Sequence, residues 1–226
     1  MDNQNISGKR GITAASALAG MAIAGASVNM ASGQGTDRVR IGLIGCGGRG
    51  TGAVGDAMSA DPTVTIYGVA DLFEPQAKEA ADRFAKQFKD RCQIKPDNVF
   101  WGFDAYRKLA AMDLDYVVMA TPPVFRPYHL RACIEAGKSV FMEKPVAVDP
   151  AGARSVIESA RIADEKGLCI TCGTQRRHAS DYMATMEQIH QGAIGELVGG
   201  QCYWNGGGIW YRDVVNGMSE LEWQCH

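Results

Sequence analysis

Gly45-Cys46-Gly47-Gly48-Arg49-Gly50 directly follows an apolar run with strand composition, Val39–Ile44, and opens a segment with helical composition, 48–58. In a strand–turn–helix unit of this kind, the first glycine permits the tight turn. The second lets the backbone approach a pyrophosphate, and the third lets the helix pack closely on the strand. Phosphates would meet unpaired N–H groups at the helix N-terminus, where peptide dipoles favour negative charge. We therefore predict that all six residues contact a dinucleotide; a tight turn without ligand is the alternative.

Asp71 ends the next apolar run, 63–71. A carboxylate at the end of the second strand can accept hydrogen bonds from the adenosine ribose hydroxyls and would repel a 2′-phosphate. Asp71 therefore favours NAD as the cofactor, with NADP the weaker candidate. Arg49 lies close enough in the turn to soften that repulsion.

Strand and helix signals alternate from Val39 onward, which is typical of parallel strands joined by helical crossovers. The remaining strands are predicted at 115–121, 139–142 and 168–172, and the remaining helices at 74–88, 127–136 and 150–166. The sequence thus predicts an α/β fold, a Rossmann-type doubly wound parallel sheet, in an NAD(P)-binding domain over residues 38–175.

The pattern changes after residue 175. A helix near 181–191 precedes a longer run with strand composition, 195–204, and we interpret 176–226 as an incomplete second domain. A lone strand cannot bury its faces or pair its edges. The sequence therefore indicates a fragment of a longer protein.

Residues 1–37 have the layout of a signal peptide followed by a polar linker. Lys9-Arg10 precede a charge-free stretch rich in alanine and glycine, 12–26, which ends on the small residues Ala24-Gly25-Ala26. The stretch resembles a twin-arginine export signal in which Lys9 replaces the first arginine, and it is too weakly apolar for a membrane span. We predict export, for example to the periplasm; a low-complexity tail on a cytoplasmic protein is the alternative.

Composition excludes some partners. The 226 residues carry a net charge of −2 and the pI is near 6.1, so the chain offers no broad attraction to nucleic acid. Its four histidines show no metal-ligand spacing, and we predict no metal site. The seven cysteines are odd in number and scattered, and those inside apolar runs (Cys133, Cys169, Cys172 and Cys202) are predicted to be small buried hydrophobes.

Further motifs follow the glycine turn in a defined order. Glu143-Lys144-Pro145 closes a predicted strand at the sheet edge where doubly wound folds bind ligands. The others are Ala120-Thr121-Pro122-Pro123, His129, Ala136-Gly137-Lys138 and Gly173-Thr174-Gln175-Arg176-Arg177-His178. Together, over residues 38 to about 204, the set resembles the glucose-fructose oxidoreductase, inositol dehydrogenase and rhizopine-catabolism (Gfo/Idh/MocA) family of nicotinamide-dependent sugar oxidoreductases.

The resemblance implies a second domain of α+β type, whose open antiparallel sheet forms the sugar pocket and associates into homo-oligomers. It also implies that Lys144 is catalytic, beside the nicotinamide and the reacting hydroxyl. An ammonium group there stabilises a developing alkoxide and takes part in proton transfer. Glu143 would orient the cofactor or the lysine.

Other site residues are implied by the same resemblance. Thr121 and Pro122 would line the cofactor cleft, and Gln175 and Arg176 would contact cofactor or substrate where the two domains meet. His129 is either a core or a cleft residue. The aromatic residues that could stack on a sugar, or instead serve as core anchors, are Trp204, Trp210, Tyr211 and Trp223.

The resemblance leaves three functions open. The first is hydride transfer between NAD(P) and a hydroxyl of a sugar or cyclitol. The second is an NAD-dependent glycoside hydrolase of the same family, a recognised exception to the two-carboxylate mechanism. The third is a non-catalytic cofactor-binding fragment, because the acid–base pair that family members carry on a helix of the second domain is not found before His226.

Overall fold

The computed structural model describes residues 38–207 and 213–225. The export signal predicted for 1–37, together with Trp210 and Tyr211, lies outside the described residues. Export therefore stays a prediction.

Six parallel strands form one sheet in the order β3-β2-β1-β4-β5-β6. The order reverses direction between β1 and β4, as in doubly wound folds, and this confirms the predicted α/β class. The strands are β1 Val39–Ile44, β2 Val64–Asp71, β3 Val99–Trp101, β4 Tyr116–Met119, β5 Ser139–Met142 and β6 Ile170–Cys172.

Helices cover both faces of the sheet. In the described residues they are α1 Gly48–Ala60, α2 Glu74–Phe88, α3 Ala105–Ala110, α4 Arg126–Glu135, α5 Pro150–Glu165, α6 Ser180–His190 and α7 Glu220–Cys225. Side chains of α1 and α2 pack in one apolar core, and those of α3, α4 and α5 in the other. Successive residues of β4 serve opposite cores: Val117 and Met119 point to one and Val118 to the other. Burial on both faces explains why the strands are almost continuously apolar.

Three predictions about local structure are corrected. The run 195–204 forms no strand in the structure, and Val198 within it is 95% exposed. Strand composition needs cross-strand neighbours to take effect, and the described residues offer this run none. Cys169 and Cys202 are exposed and Cys172 is only half-buried, whereas Cys133 is buried as expected. The short elements β3 and α3 were not predicted.

A stack of three rings ties α3 to α4 beneath the sheet edge. The His129 ring lies 4.2 Å from that of Tyr106 and 5.9 Å from that of Phe125, measured between centroids. His129 Nδ1 is 3.2 Å from Thr121 Oγ1, at the end of β4. Burial lowers the pKa of His129 from 6.5 to about 4, because a charged imidazolium would lose its hydration there. His129 is thus a neutral ring at neutral pH.

Helix α1 packs on β1 at the distance only glycine allows. A Cβ atom on Gly50 would lie 1.9 Å from the carbonyl oxygen of Gly45, whereas one on Gly52, two residues further along the same helix, would meet nothing within 4 Å. We expect Gly50→Ala to lower the free energy of unfolding by roughly 2 kcal/mol or more, because backbone must move. Gly52→Ala should be neutral or stabilising by up to about 1 kcal/mol, because alanine favours helix. Urea denaturation of both variants measures the difference, and equal stabilities would contradict the close contact.

The half-buried imidazole of His129 makes stability depend on pH. Because the folded pKa lies below the unfolded value of 6.5, the unfolded chain binds the extra proton first, and stability is lost as the pH falls from about 6.5 towards 4. At about pH 5 this loss amounts to roughly 2 kcal/mol. We expect His129→Phe, which keeps a stacked ring, to lose less stability than the wild type between about pH 7.5 and pH 5 in urea titrations. The matched control His190→Phe, at an exposed position, should follow the wild type; identical slopes in all three would refute the burial effect.

Candidate functional site

A cavity of about 490 Å³ opens at the carboxyl ends of β1, β2 and β4. It therefore lies at the point where the strand order reverses, which is where doubly wound sheets bind ligands. Six of the predicted cofactor-binding residues line it together with His129: Gly45, Gly47, Arg49, Asp71, Thr121 and Pro122. Aromatic side chains complete the wall: Phe73, Phe103, Tyr106 and Phe125.

The glycine turn has the shape that a pyrophosphate needs. Gly45 has φ +92, and a Cβ there would lie 2.7 Å from the Thr121 backbone nitrogen. Above Gly47 and Gly48, by contrast, the space is open within 4 Å. The N-cap of α1 is Gly47, whose lack of a side chain leaves the first N–H groups of the helix accessible. The turn therefore fits an anionic group such as a diphosphate.

Asp71 is held in place by main-chain groups. The Cys46 N–H donates to Asp71 Oδ2 at 2.7 Å, and the Phe73 N–H donates to Oδ1 at 2.9 Å. Each carboxylate oxygen keeps further lone-pair capacity for a ligand hydroxyl. The side chain is thus fixed at the rim of the cavity and remains able to accept hydrogen bonds. Cys46 itself points into the core, and burial raises the pKa of its thiol.

Glu143 is a buried carboxylate, 5% exposed, at the end of β5. Arg49 Nε and Nη2 both donate to Glu143 Oε1, at 2.7 and 2.6 Å, and the Lys144 N–H donates to Oε2 at 3.2 Å. A Cβ on Gly173, just after β6, would lie 2.7 Å from Oε1. Arg49 therefore bridges the glycine turn and β5, and its charge is directed to Glu143.

Seven of the predicted cofactor-binding residues do not line this cavity: Cys46, Gly48, Gly50, Glu143, Lys144, Gln175 and Arg176. Lys144 is exposed and follows Glu143 outward from the end of β5. Gln175 and Arg176 lie in an exposed 3-10 turn after β6. Arg176 Nε donates to the Tyr182 hydroxyl at 2.9 Å, and its guanidinium lies 4.7 Å from the Trp204 ring centroid. The cofactor contacts of these seven residues stay predictions.

Arg126 was missed by sequence reasoning. It is the first residue of α4 and only 6% exposed, and it also borders the cavity. Its Nε donates to the Thr121 carbonyl at 2.7 Å, and its Nη1 donates to the carbonyls of Glu143, at 2.8 Å, and Pro145. Desolvation lowers its pKa, and the nearby Glu143 carboxylate opposes that shift. An arginine at a helix start gives no sequence signal of such burial.

Two other kinds of site were sought within residues 38–207 and 213–225. No group of three or more His, Cys, Asp or Glu side chains there is arranged to hold a metal ion. None of the described helices combines the length and apolar character required to cross a bilayer.

Comparisons with known proteins agree with this geometry. Residues 39–174, more than half of the chain, match the sequence model of an oxidoreductase family with an NAD-binding Rossmann fold. An NAD binding oxidoreductase from Klebsiella pneumoniae has a similar structure, with a TM-score of 0.57 at 25% identity over 71% of this chain and 41% of that one. A scyllo-inositol dehydrogenase from Lactobacillus casei, 20% identical with a TM-score of 0.56, shares the fold over 70% of this chain and 43% of its own.

Two curated relatives are similar at the sequence level. An inositol 2-dehydrogenase of Rhizobium meliloti is 30% identical over 159 residues, 70% of this chain and 43% of the relative. A glycosyl hydrolase family 109 protein of Streptomyces coelicolor is 30% identical over 164 residues, 72% of this chain and 33% of the relative. The chain thus spans less than half the length of these relatives. From the family match and the fold together, the chain belongs to the Gfo/Idh/MocA family of oxidoreductases and carries that family's NAD-binding Rossmann fold.

Proposed function

We propose that the chain is the cofactor-binding part of an NAD-dependent oxidoreductase that acts on a hydroxyl group of a sugar or cyclitol. The observation that carries the proposal is the cavity at the strand-order reversal, where the open glycine turn, the anchored carboxylate of Asp71 and the Thr121–Pro122 backbone share one surface. Similarity to an inositol 2-dehydrogenase supports the substrate class.

Different residues of the cavity would bind different parts of NAD. The N–H groups at the start of α1 would hold the diphosphate, and Asp71 would accept hydrogen bonds from the adenosine ribose hydroxyls. The apolar wall of Ala120 and Phe125 would exclude water from the nicotinamide end. NAD is favoured over NADP because Arg49, the cation of the turn, is paired with Glu143 and leaves the charge of Asp71 uncompensated.

Lys144 would serve the chemistry at the end of β5. When bound, the nicotinamide supplies the acceptor for a hydride from the carbon that bears the hydroxyl. Lys144 Nζ would accept the hydroxyl proton as the hydride leaves, and the ammonium that results would stabilise the negative charge that develops on the oxygen. Glu143 keeps the backbone of Lys144 in place by accepting its N–H. We thus propose that Lys144 is catalytic and that Glu143 positions it.

The second candidate is an NAD-dependent glycoside hydrolase. It is favoured by the 30% identity to a glycosyl hydrolase family 109 protein. The two candidates differ in their net products, because only the oxidoreductase accumulates NADH.

The test of the reaction uses the protein encoded by the complete reading frame, assayed with NAD against a panel of sugars, cyclitols and aryl glycosides. We expect absorbance of NADH that depends on a sugar or cyclitol. Release of the aryl group with unchanged cofactor would contradict the oxidoreductase and support the glycoside hydrolase. NAD binding without either reaction would identify a non-catalytic module. If NAD does not bind, the proposed function fails altogether.

In the same protein, we expect Lys144→Met to lower kcat by about 100-fold or more, the usual contribution of a positioned acid–base group. The dissociation constant for NAD should stay within about twofold, because Lys144 does not line the cavity. Lys86→Met, at an exposed position on α2, is the matched control. A variant of Lys144 with unchanged kcat would remove this residue from the mechanism.

Cofactor preference has its own test in the full chain. We expect Asp71→Ser to weaken NAD binding and to improve NADP binding, so that the ratio of the two dissociation constants changes by about tenfold or more in favour of NADP. Asp82→Ser removes an exposed carboxylate of α2 and should leave the ratio unchanged. Calorimetry with both cofactors measures it, and a constant ratio in Asp71→Ser would show that this carboxylate does not select the cofactor.

A further inference from the structure

Arg126 joins the ends of two neighbouring strands through its guanidinium group. The Thr121 carbonyl that it contacts follows β4, and the carbonyls of Glu143 and Pro145 follow β5. The two β5 acceptors lie on either side of Lys144 in the chain. One rigid side chain therefore fixes the backbone before and after the lysine relative to the Thr121–Pro122 wall.

Only an arginine can make this set of contacts. Its planar fork presents donors from Nε and Nη1 in fixed directions, whereas a lysine ammonium is a compact point charge on a flexible stem. Two nitrogens of the planar guanidinium, Nε and Nη1, donate to three main-chain carbonyls. The geometry thus specifies a fork and not merely a positive charge.

Burying this cation is costly for the fold. A charge removed from water must be compensated, and replacing buried ions by apolar residues is often neutral or stabilising. The carboxylate of Glu143, the counter-charge that acts on Arg126, has its hydrogen bonds from Arg49 and from the Lys144 N–H. Stability alone therefore does not explain why Arg126 donates its hydrogen bonds to carbonyls on either side of Lys144.

We propose that Arg126 is a positioning residue for the Glu143-Lys144-Pro145 segment. It holds Lys144 at a set place beside the nicotinamide end of the cavity, while the adenosine end, at Asp71, is built without it. This inference rests on the proposed function. Within the described residues, Arg126 makes no hydrogen bond to the glycine turn or to Asp71, and we infer that it nevertheless determines where Lys144 lies.

The experiment compares Arg126→Lys and Arg126→Met with Arg131→Met in the full chain. Arg131 lies on the same helix, is 39% exposed in its side chain and pairs with Glu135, so its loss controls for changes in α4. Hydrogen exchange of the amides at 143–147 is measured first, followed by the dissociation constants of NADH and of ADP-ribose, which lacks the nicotinamide.

Both Arg126 variants should exchange faster at 143–147 and bind NADH about tenfold more weakly, because the Thr121–Pro122 backbone that lines the cavity loses its connection to the end of β5. ADP-ribose binding should stay within about twofold, because the adenosine end at Asp71 is built without Arg126. Arg131→Met should match the wild type in all three measurements. If Arg126→Met does not fold, Arg126→Lys tests the inference, because it keeps the positive charge and removes the planar fork.

Equal weakening of NADH and ADP-ribose would overturn the inference, since it would show a general structural role. Unchanged exchange and unchanged NADH affinity would overturn it as well. If the wild type binds neither nucleotide, the proposed function fails, and with it the cofactor role of Arg126. The exchange at 143–147 would then still decide separately whether Arg126 holds the segment.

Discussion

The candidate site depends on a main-chain contact between the glycine turn and helix α1. A single carbon on Gly50 would lie 1.9 Å from the Gly45 carbonyl oxygen, and one on Gly45 would lie 2.7 Å from the Thr121 nitrogen. Because no side chain separates these backbones, α1 begins directly at the sheet edge and beside the end of β4. The first N–H groups of the helix, the Thr121 backbone and the Asp71 carboxylate consequently border the same cavity. A larger residue at either glycine would separate the groups that the site requires together.

Glu143 imposes the second constraint, on the other side of the strand-order reversal. A buried carboxylate is tolerated only when its oxygens are satisfied, and here Arg49 from the turn and the Lys144 N–H do so. Gly173 leaves room for it after β6. The same pairing directs the charge of Arg49 to Glu143. The sequence suggested that Arg49 weakens the selectivity for NAD. In the structure Arg49 instead pairs with Glu143, and this supports the preference for NAD.

The sequence predicted well those features that repeat over many residues or require a special backbone. Helix 74–88 and strand 139–142 were predicted with the bounds observed, because each has a clear apolar pattern. Elements of three and six residues, β3 and α3, are too short to show a period, and with α3 the ring of Tyr106 was missed. Composition misled at 195–204, where strand-forming residues have no strand to pair with in the structure. Arg126 could not have been found, because its role depends on carbonyls from two strands that only the fold brings together.

The equal identity of 30% to a dehydrogenase and to a glycosyl hydrolase family 109 protein has a structural explanation. Both alignments cover about seven tenths of this chain, and the family match lies within the sheet, 39–174. The constraints observed in that region are the close turn, the anchored carboxylate of Asp71 and the main chain on either side of Lys144 that Arg126 contacts. Under the proposed function, these features would hold the dinucleotide, and a dehydrogenase and a hydrolase that both bind NAD would both require them. Under the proposed function, the choice between oxidation and hydrolysis would then depend on groups that contact the rest of the substrate.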